Sequence, residues 1–198
     1  MDHKIRRRQI TDAARRVIVA GGLESVTFQT VAAEAGFSVR LVQYYFGTKR
    51  DFLLATHRSV MEDAGTRFGR RWSELGEHAE PREAVKAVLT ELLPLDDQRR
   101  EEAIVLGAFA AAAITGQGIT TEETLAAPRA LVTLLAHQLA RTDRTPPGRG
   151  DRELDAELIL VAAGGITQGM IQGHYTADSA ITLVDHLLDR VLGPGTGN

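Results

Sequence analysis

The stretch that decides the fold runs Thr27-Phe28-Gln29-Thr30-Val31-Ala32-Ala33-Glu34-Ala35-Gly36-Phe37-Ser38-Val39-Arg40-Leu41-Val42-Gln43-Tyr44-Tyr45-Phe46-Gly47. Thr27 suits a helix N-cap, and Phe28, Val31, Ala32 and Ala35 then fall on one apolar face of a short helix. Gly36 stops that helix, and Ser38 caps a second one in which Val42 and Phe46 share a face. Two short helices joined by Ala35-Gly36-Phe37-Ser38 have the spacing of a helix-turn-helix.

With Val42 and Phe46 turned inward, Val39, Arg40, Gln43 and Tyr44 stand on or beside the outward face of the second helix. Arg and Gln donate hydrogen bonds to base edges in a major groove, and Tyr reaches a phosphate or a thymine methyl. The free amides and positive dipole end at Ser38 suit a phosphate. Lys49 would be a phosphate clamp if the helix it opens also ends against the duplex. The competing reading is a capped helical hairpin inside an unrelated bundle.

Outward from this unit the periodicity stays helical. Ile10, Ala13, Ala14, Val17 and Ile18 form one apolar face before Gly21-Gly22. Thr48-Lys49-Arg50-Asp51 approximates a capping box and opens a longer helix through Phe52, Leu53, Val60 and Met61. Pro81 suits the first turn of a helix that Pro94 limits. Further helices are expected from about Glu101 to Thr115, from Thr120 or Thr121 to about Arg141, from Asp151 to about Tyr175 and from Ala177 to Leu192. A loop is expected at 142–150 and a disordered tail at 193–198. No stretch shows the alternation of a strand, so the fold class is all-α.

The 198-residue chain carries a net charge of −3, unevenly spread. Residues 1–60 hold ten Lys/Arg against five acids, a net of +5, which leaves −8 on the remainder. A basic head on an acidic body suggests two jobs in one chain. Arg6, Arg7 and Arg8 read either as a solvated charge run ahead of the first helix or as a flexible arm for phosphates or the minor groove.

The absence of cysteine removes disulfides, thiolate metal sites and Cys nucleophiles, and fits a reducing compartment. Met1 to Ile10 lacks the apolar segment of a signal peptide. The run Ala103 to Ile114, interrupted by Gly107, is too short for a bilayer. A cytoplasmic protein without membrane contact is expected.

No Gly-x-Ser-x-Gly elbow, Gly-Lys-Ser/Thr loop or His-Glu-x-x-His pair is present, so an enzyme is not expected. Gly116-Gln117-Gly118 lacks the third glycine and the strand of a dinucleotide fingerprint. His174 and Asp178 flank a helix break, so neither a metal nor any other cofactor is expected. A protein that merely coats DNA is disfavoured, because the acidic body would repel it.

Thr27 to Ser38, followed by Tyr44-Tyr45-Phe46-Gly47-Thr48-Lys49-Arg50-Asp51-Phe52-Leu53, resembles the DNA-binding domain of TetR-type regulators over roughly residues 6–60. The resemblance implies a helix-turn-helix DNA-binding domain at 1–47 and a helical effector-binding and dimerisation domain at 48–198. It implies a homodimer that reads a palindromic operator in double-stranded DNA, with repression relieved by a small molecule. By position, Gln29, Val39, Arg40, Leu41 and Tyr44 would meet bases. Thr27, Ser38, Gln43, Tyr45 and Lys49 would meet phosphates. The family often has Gly where this chain has Arg40, and Tyr where it has Gln43, so the operator is not transferable.

For the body, Phe68, Trp72, Phe109, Leu134, His137 and Gln168 are candidates to line an apolar ligand cavity, each equally readable as core. Gly165, Gly169 and Gly173, four apart, would let another backbone approach one helix face. Ile181, Val184, Leu187, Leu188 and Val191 add an apolar stripe on the next helix. With the resemblance, these suggest a dimer interface centred on Gly165, Gly169, Gly173, Val184 and Leu188. The alternative function is a helical small-molecule- or protein-binding bundle without specific DNA readout.

Overall fold

Helix formation follows the caps. In this computed structural model, which describes residues 3–76, 78–116, 119–142 and 152–194, Thr27 accepts a hydrogen bond from the Thr30 amide while the Thr30 hydroxyl takes the Thr27 amide. This reciprocal box opens α2 (Phe28–Ala35), after α1 (His3–Gly21) and a short 3-10 turn (Leu23–Ser25) that the sequence reading passed over. Gly36, at φ 69°, is the left-handed cap that ends α2, with its amide on the Ala32 and Ala33 carbonyls. Ser38 accepts from the Leu41 amide at 3.2 Å and opens α3 (Val39–Phe46). Asp51 donates its amide to Thr48 Oγ1 and accepts the Thr48 hydroxyl, opening α4 (Lys49–Leu75).

The remaining helices are α5 (Pro81–Leu92), α6 (Asp97–Thr115), α7 (Thr121–Ala140), α8 (Arg152–Ile171) and α9 (Ala177–Leu192). Pro81 occupies the first turn of α5 as expected. Two boundaries differ from the sequence reading. Helix α6 begins at Asp97, four residues early, because Asp96 accepts the Arg99 amide at 2.8 Å and acts as its cap. Helix α8 stops at Ile171, where Gly173 turns to φ 78°. Helix α7 continues through Pro128, which cannot donate the intrahelical bond to the Thr124 carbonyl. Among the described residues there is no strand, so the fold is all-α. Residues 143–150 of the expected loop and 195–198 of the expected tail lie outside the described residues, as do Gln117 and Gly118.

The contacts divide the chain into two units. The first comprises Met1–Thr66 with Glu101–Thr124, so α6 groups with the N-terminal helices and not with the body assigned to 48–198. Its core is built on Ile10, Ile18, Val31, Val42, Phe46, Phe52, Val105 and Phe109. Burying such side chains stabilises by about 1.5–3 kcal/mol each.

A partly buried ionic cluster joins its helices: Arg15, 5% exposed, reaches Asp63 on α4 at 2.6 Å and Glu101 on α6 at 3.0 Å. Burial alone would raise the Asp63 pKa, but hydrogen bonds from Arg8 and Arg15 outweigh it and hold the carboxyl below its ordinary range.

The second unit comprises Arg67–Arg100 and Leu125–Asn198. Val85, Val88, Leu89, Leu135, Leu139, Ile159, Val184 and Leu188 form its core. Arg100 donates to the Ile171 carbonyl at the end of α8, and Arg82 to the Gly193 carbonyl beyond α9. Each cation thereby serves the negative end of a helix. By length and composition α8 is apolar enough to cross a membrane, which the run 103–114 is not; 33% of its apolar window is buried in the bundle. Arg152, Glu153, Asp155 and Glu157 crowd its first turns, as suits a bundle helix that starts in water.

Candidate nucleic-acid interface

The second helix of the helix-turn-helix presents a sharply divided surface. Val42 and Phe46 are buried, Phe46 with its ring centroid 4.9 Å from that of Phe52. Two positions from each of them, Tyr44 is 76% exposed, and Arg40 and Gln43 are exposed beside it. Ser38 at the N-terminus of α3, Gln29 on α2 and Lys49 at the start of α4 are exposed as well. Val39 and Leu41 are half-buried and Val39 packs against the core, so each offers only part of its side chain outward. Thr27 is half-buried and engaged in its own cap. Tyr45 is half-buried, its ring 4.7 Å from that of His3.

The three N-terminal arginines correct the sequence reading. They lie inside α1 and are neither a flexible arm nor a purely solvated run. Arg6 stacks 4.5 Å over the Phe37 ring and Arg7 4.4 Å over the Phe46 ring. Arg8 pairs with Asp12 at 2.9 Å and with Asp63. The long-range partners among these are 31 to 55 positions away, beyond what a local pattern reveals.

Residues 10–56 match the bacterial regulatory proteins of the tetR family, and residues 81–193, more than half the chain, match the BetI-type transcriptional repressor C-terminal domain. The chain belongs to the tetR family of DNA-binding transcriptional regulators.

The HTH-type transcriptional regulator PksA of Bacillus subtilis is 32% identical over 112 residues, 56% of this chain and 53% of that protein. BetI of Brucella anthropi is 36% identical over 85 residues, 43% of this chain and 42% of that protein. The chain therefore spans about half the length of the curated relatives it matches. A transcriptional regulator from Rhodococcus sp. Rha1 has the same fold, with a TM-score of 0.77 at 26% identity over 94% of this chain and 95% of that one. A protein from Saccharomonospora viridis, solved in complex with choline, also reaches 0.77, at 22% identity over 95% and 96%.

Within this TetR-family chain the effector candidates do not all come together. Trp72 and His137 line one open cleft of about 340 Å³ in the second unit, with Leu75, Ala79, Gln138 and Arg141. Phe68 stacks on Trp72 at 5.9 Å, and Leu134 lies one turn from His137 on α7. Gln168 is exposed on α8. Phe109 belongs to the core of the first unit, fully buried with its ring 5.1 Å from His57, and is not among the residues lining that cleft. Burial pushes the His57 pKa down, against an opposing pull from Glu123.

The interface candidates need similar correction. Val184 and Leu188 are fully buried within their own unit and have no surface to give a partner. Gly173 lies beyond the end of α8. Gly169 serves an internal approach, because a Cβ there would sit 2.5 Å from the Tyr175 ring. Gly165 lies within α8 and is exposed. The residues missed were Leu154, Leu158 and Val161, which at 56, 66 and 72% exposure share its face, and Leu183 on α9. Their spacing, three and four apart and leading to Gly165, is the sequence signal that marks this face.

Proposed function

We propose that this chain is a homodimeric repressor that grips a palindromic operator with one α3 per copy and lets go when a small molecule binds its body. The observation that carries the reading is the divided surface of α3: Arg40, Gln43 and Tyr44 are exposed on a helix pinned from behind by buried Val42 and Phe46. Gln29, Val39, Arg40, Leu41 and Tyr44 take the base-facing roles. Thr27, Ser38, Gln43, Tyr45 and Lys49 take the phosphate-facing ones. The protein works in the cytoplasm, without a membrane and without catalysis.

The exposed face of Leu154, Leu158, Val161 and Gly165, with Leu183, supports dimerisation, since an apolar stripe on this scale is costly to leave in water. Half-sites on B-DNA lie about 34–36 Å apart, and a ligand that changes the spacing of the two α3 helices ends simultaneous contact. The effector site is the cleft holding Trp72 and His137. Choline, held by the Saccharomonospora viridis neighbour, is the first compound to test. The Phe68–Trp72 pair suits a quaternary ammonium, whereas Arg141 in the same cleft opposes a cation.

Footprinting the protein on DNA flanking its own gene, beside Arg40→Ala and Tyr44→Ala, tests the reading. A protected near-palindrome that both substitutions weaken is the expected result. Binding that is absent, or equal on all sequences and indifferent to both changes, returns the chain to a helical bundle without DNA readout.

A further inference from the structure

The reading helix α3 has eight residues, too few to hold its own shape in water. Its last carbonyls need partners. The Gln43 carbonyl accepts the Gly47 amide at 2.8 Å and the Phe46 carbonyl the Thr48 amide at 2.7 Å. The Tyr45 carbonyl instead accepts from the Arg7 guanidinium, 38 positions away on α1. The same guanidinium lies 4.4 Å over the ring of Phe46, the buried anchor of α3. One turn earlier on α1, the His3 ring lies 4.7 Å from that of Tyr45. Tyr45 meets Tyr44 edge-on at 5.4 Å, and Tyr44 stands 76% exposed on the reading face.

From this arrangement we infer that Arg7 is a positioning residue for DNA recognition: it caps the C-terminal turn of α3 and sets the angle at which Arg40 and Tyr44 meet the groove. The inference rests on α3 being the reading helix. A cation at a helix C-terminus is favoured by the dipole, and the flat guanidinium satisfies carbonyl and ring at once, which an ammonium cannot. Arg7 is half-buried and its charge is directed at protein, so it is not a phosphate contact, although a basic residue in such a domain invites that assignment.

Two roles for Arg7 predict different salt behaviour. A phosphate contact, when removed, weakens binding on all sequences and reduces the slope of log affinity against log salt by about 0.9. A positioning residue leaves that slope unchanged and lowers discrimination, because the base contacts fall out of register.

The experiment uses the full chain, a duplex selected by the wild-type protein from a random pool, and a scrambled duplex of the same length. Affinities are measured across a salt series for wild type, Arg7→Gln and Arg7→Lys, with Arg40→Ala as the base-contact control. For Arg7→Gln the ratio of selected to scrambled affinity is expected to fall about tenfold, with the scrambled-duplex slope unchanged. Arg7→Lys is expected to fall between. A slope reduced by about 0.9 with the ratio preserved overturns the proposal and makes Arg7 a phosphate contact.

If Arg7→Gln melts below the assay temperature, Arg7→Lys carries the test alone. A lowered ratio at constant slope supports the positioning role, and wild-type behaviour in both overturns it. A wild-type ratio in Arg40→Ala sinks the α3 reading itself, and this inference with it.

Discussion

Tyr44 and Phe46 are two positions apart and do opposite work. Phe46 is buried against Phe52 and Arg7, whereas Tyr44 stands 76% exposed. Removing the Phe46 ring empties a packed site and is expected to cost about 3–5 kcal/mol. Removing that of Tyr44 is expected to change stability by less than about 0.5 kcal/mol while operator affinity falls. Urea unfolding of Phe46→Ala and Tyr44→Ala, set beside their footprints, checks this. A strongly destabilised Tyr44→Ala would place that ring in the core and remove it from the reading face. At Gly36 the constraint is backbone: the turn between α2 and α3 holds φ at 69°, a conformation that costs a residue with a Cβ about 1–2 kcal/mol.

Between elements, the first unit is held by charge as well as by apolar burial. Arg15 joins α1 to α4 through Asp63 and to α6 through Glu101, and Arg8 adds a second cation at Asp63. The folded carboxyl of Asp63 titrates below its ordinary 3.8, so near that pH the unfolded chain binds the proton first. Its contribution is therefore complete above about pH 4 and is lost as pH falls through the lower folded value. Melting temperature measured from pH 6 downward is expected to drop steeply in that window, and Asp63→Asn to drop less steeply from a lower starting point. Equal slopes for the two proteins would mean that Asp63 is not held by the arginines. Asp96 and Glu123, also depressed by hydrogen bonds, keep the residual slope from vanishing.

For the whole molecule the question is what covers the outward face of α8. Leu158 and Val161, at 66 and 72% exposure, touch little within their own chain. Replacing both by Glu is expected to leave helix content and melting nearly unchanged, to convert a dimer to a monomer in light scattering, and to reduce operator affinity through loss of the second half-site. A double variant that remains dimeric would move the interface elsewhere. Wild type that is monomeric at micromolar concentration would remove the homodimer from the proposed function.

The helix-turn-helix is legible in the sequence because its signals are local. Thr27, Gly36, Ser38 and Thr48 each act on backbone groups within four residues, and Val42 and Phe46 share a face by the helical repeat alone. The outward position of Arg40, Gln43 and Tyr44 follows from that inward pair. Where the less amphipathic parts belong depends instead on packing between distant segments. Helix α8 is apolar on more than one side, so its periodicity does not say that Ile159 and Ala163 face the core while Leu158 and Val161 face out. The buried stripe of Val184 and Leu188 looks the same in sequence whether the surface covering it belongs to this chain or to another. Arg7 and Phe109 owe their places to partners 38 and 52 positions distant. A charge run and an apolar run state what must be neutralised or buried, and packing alone chooses the partner.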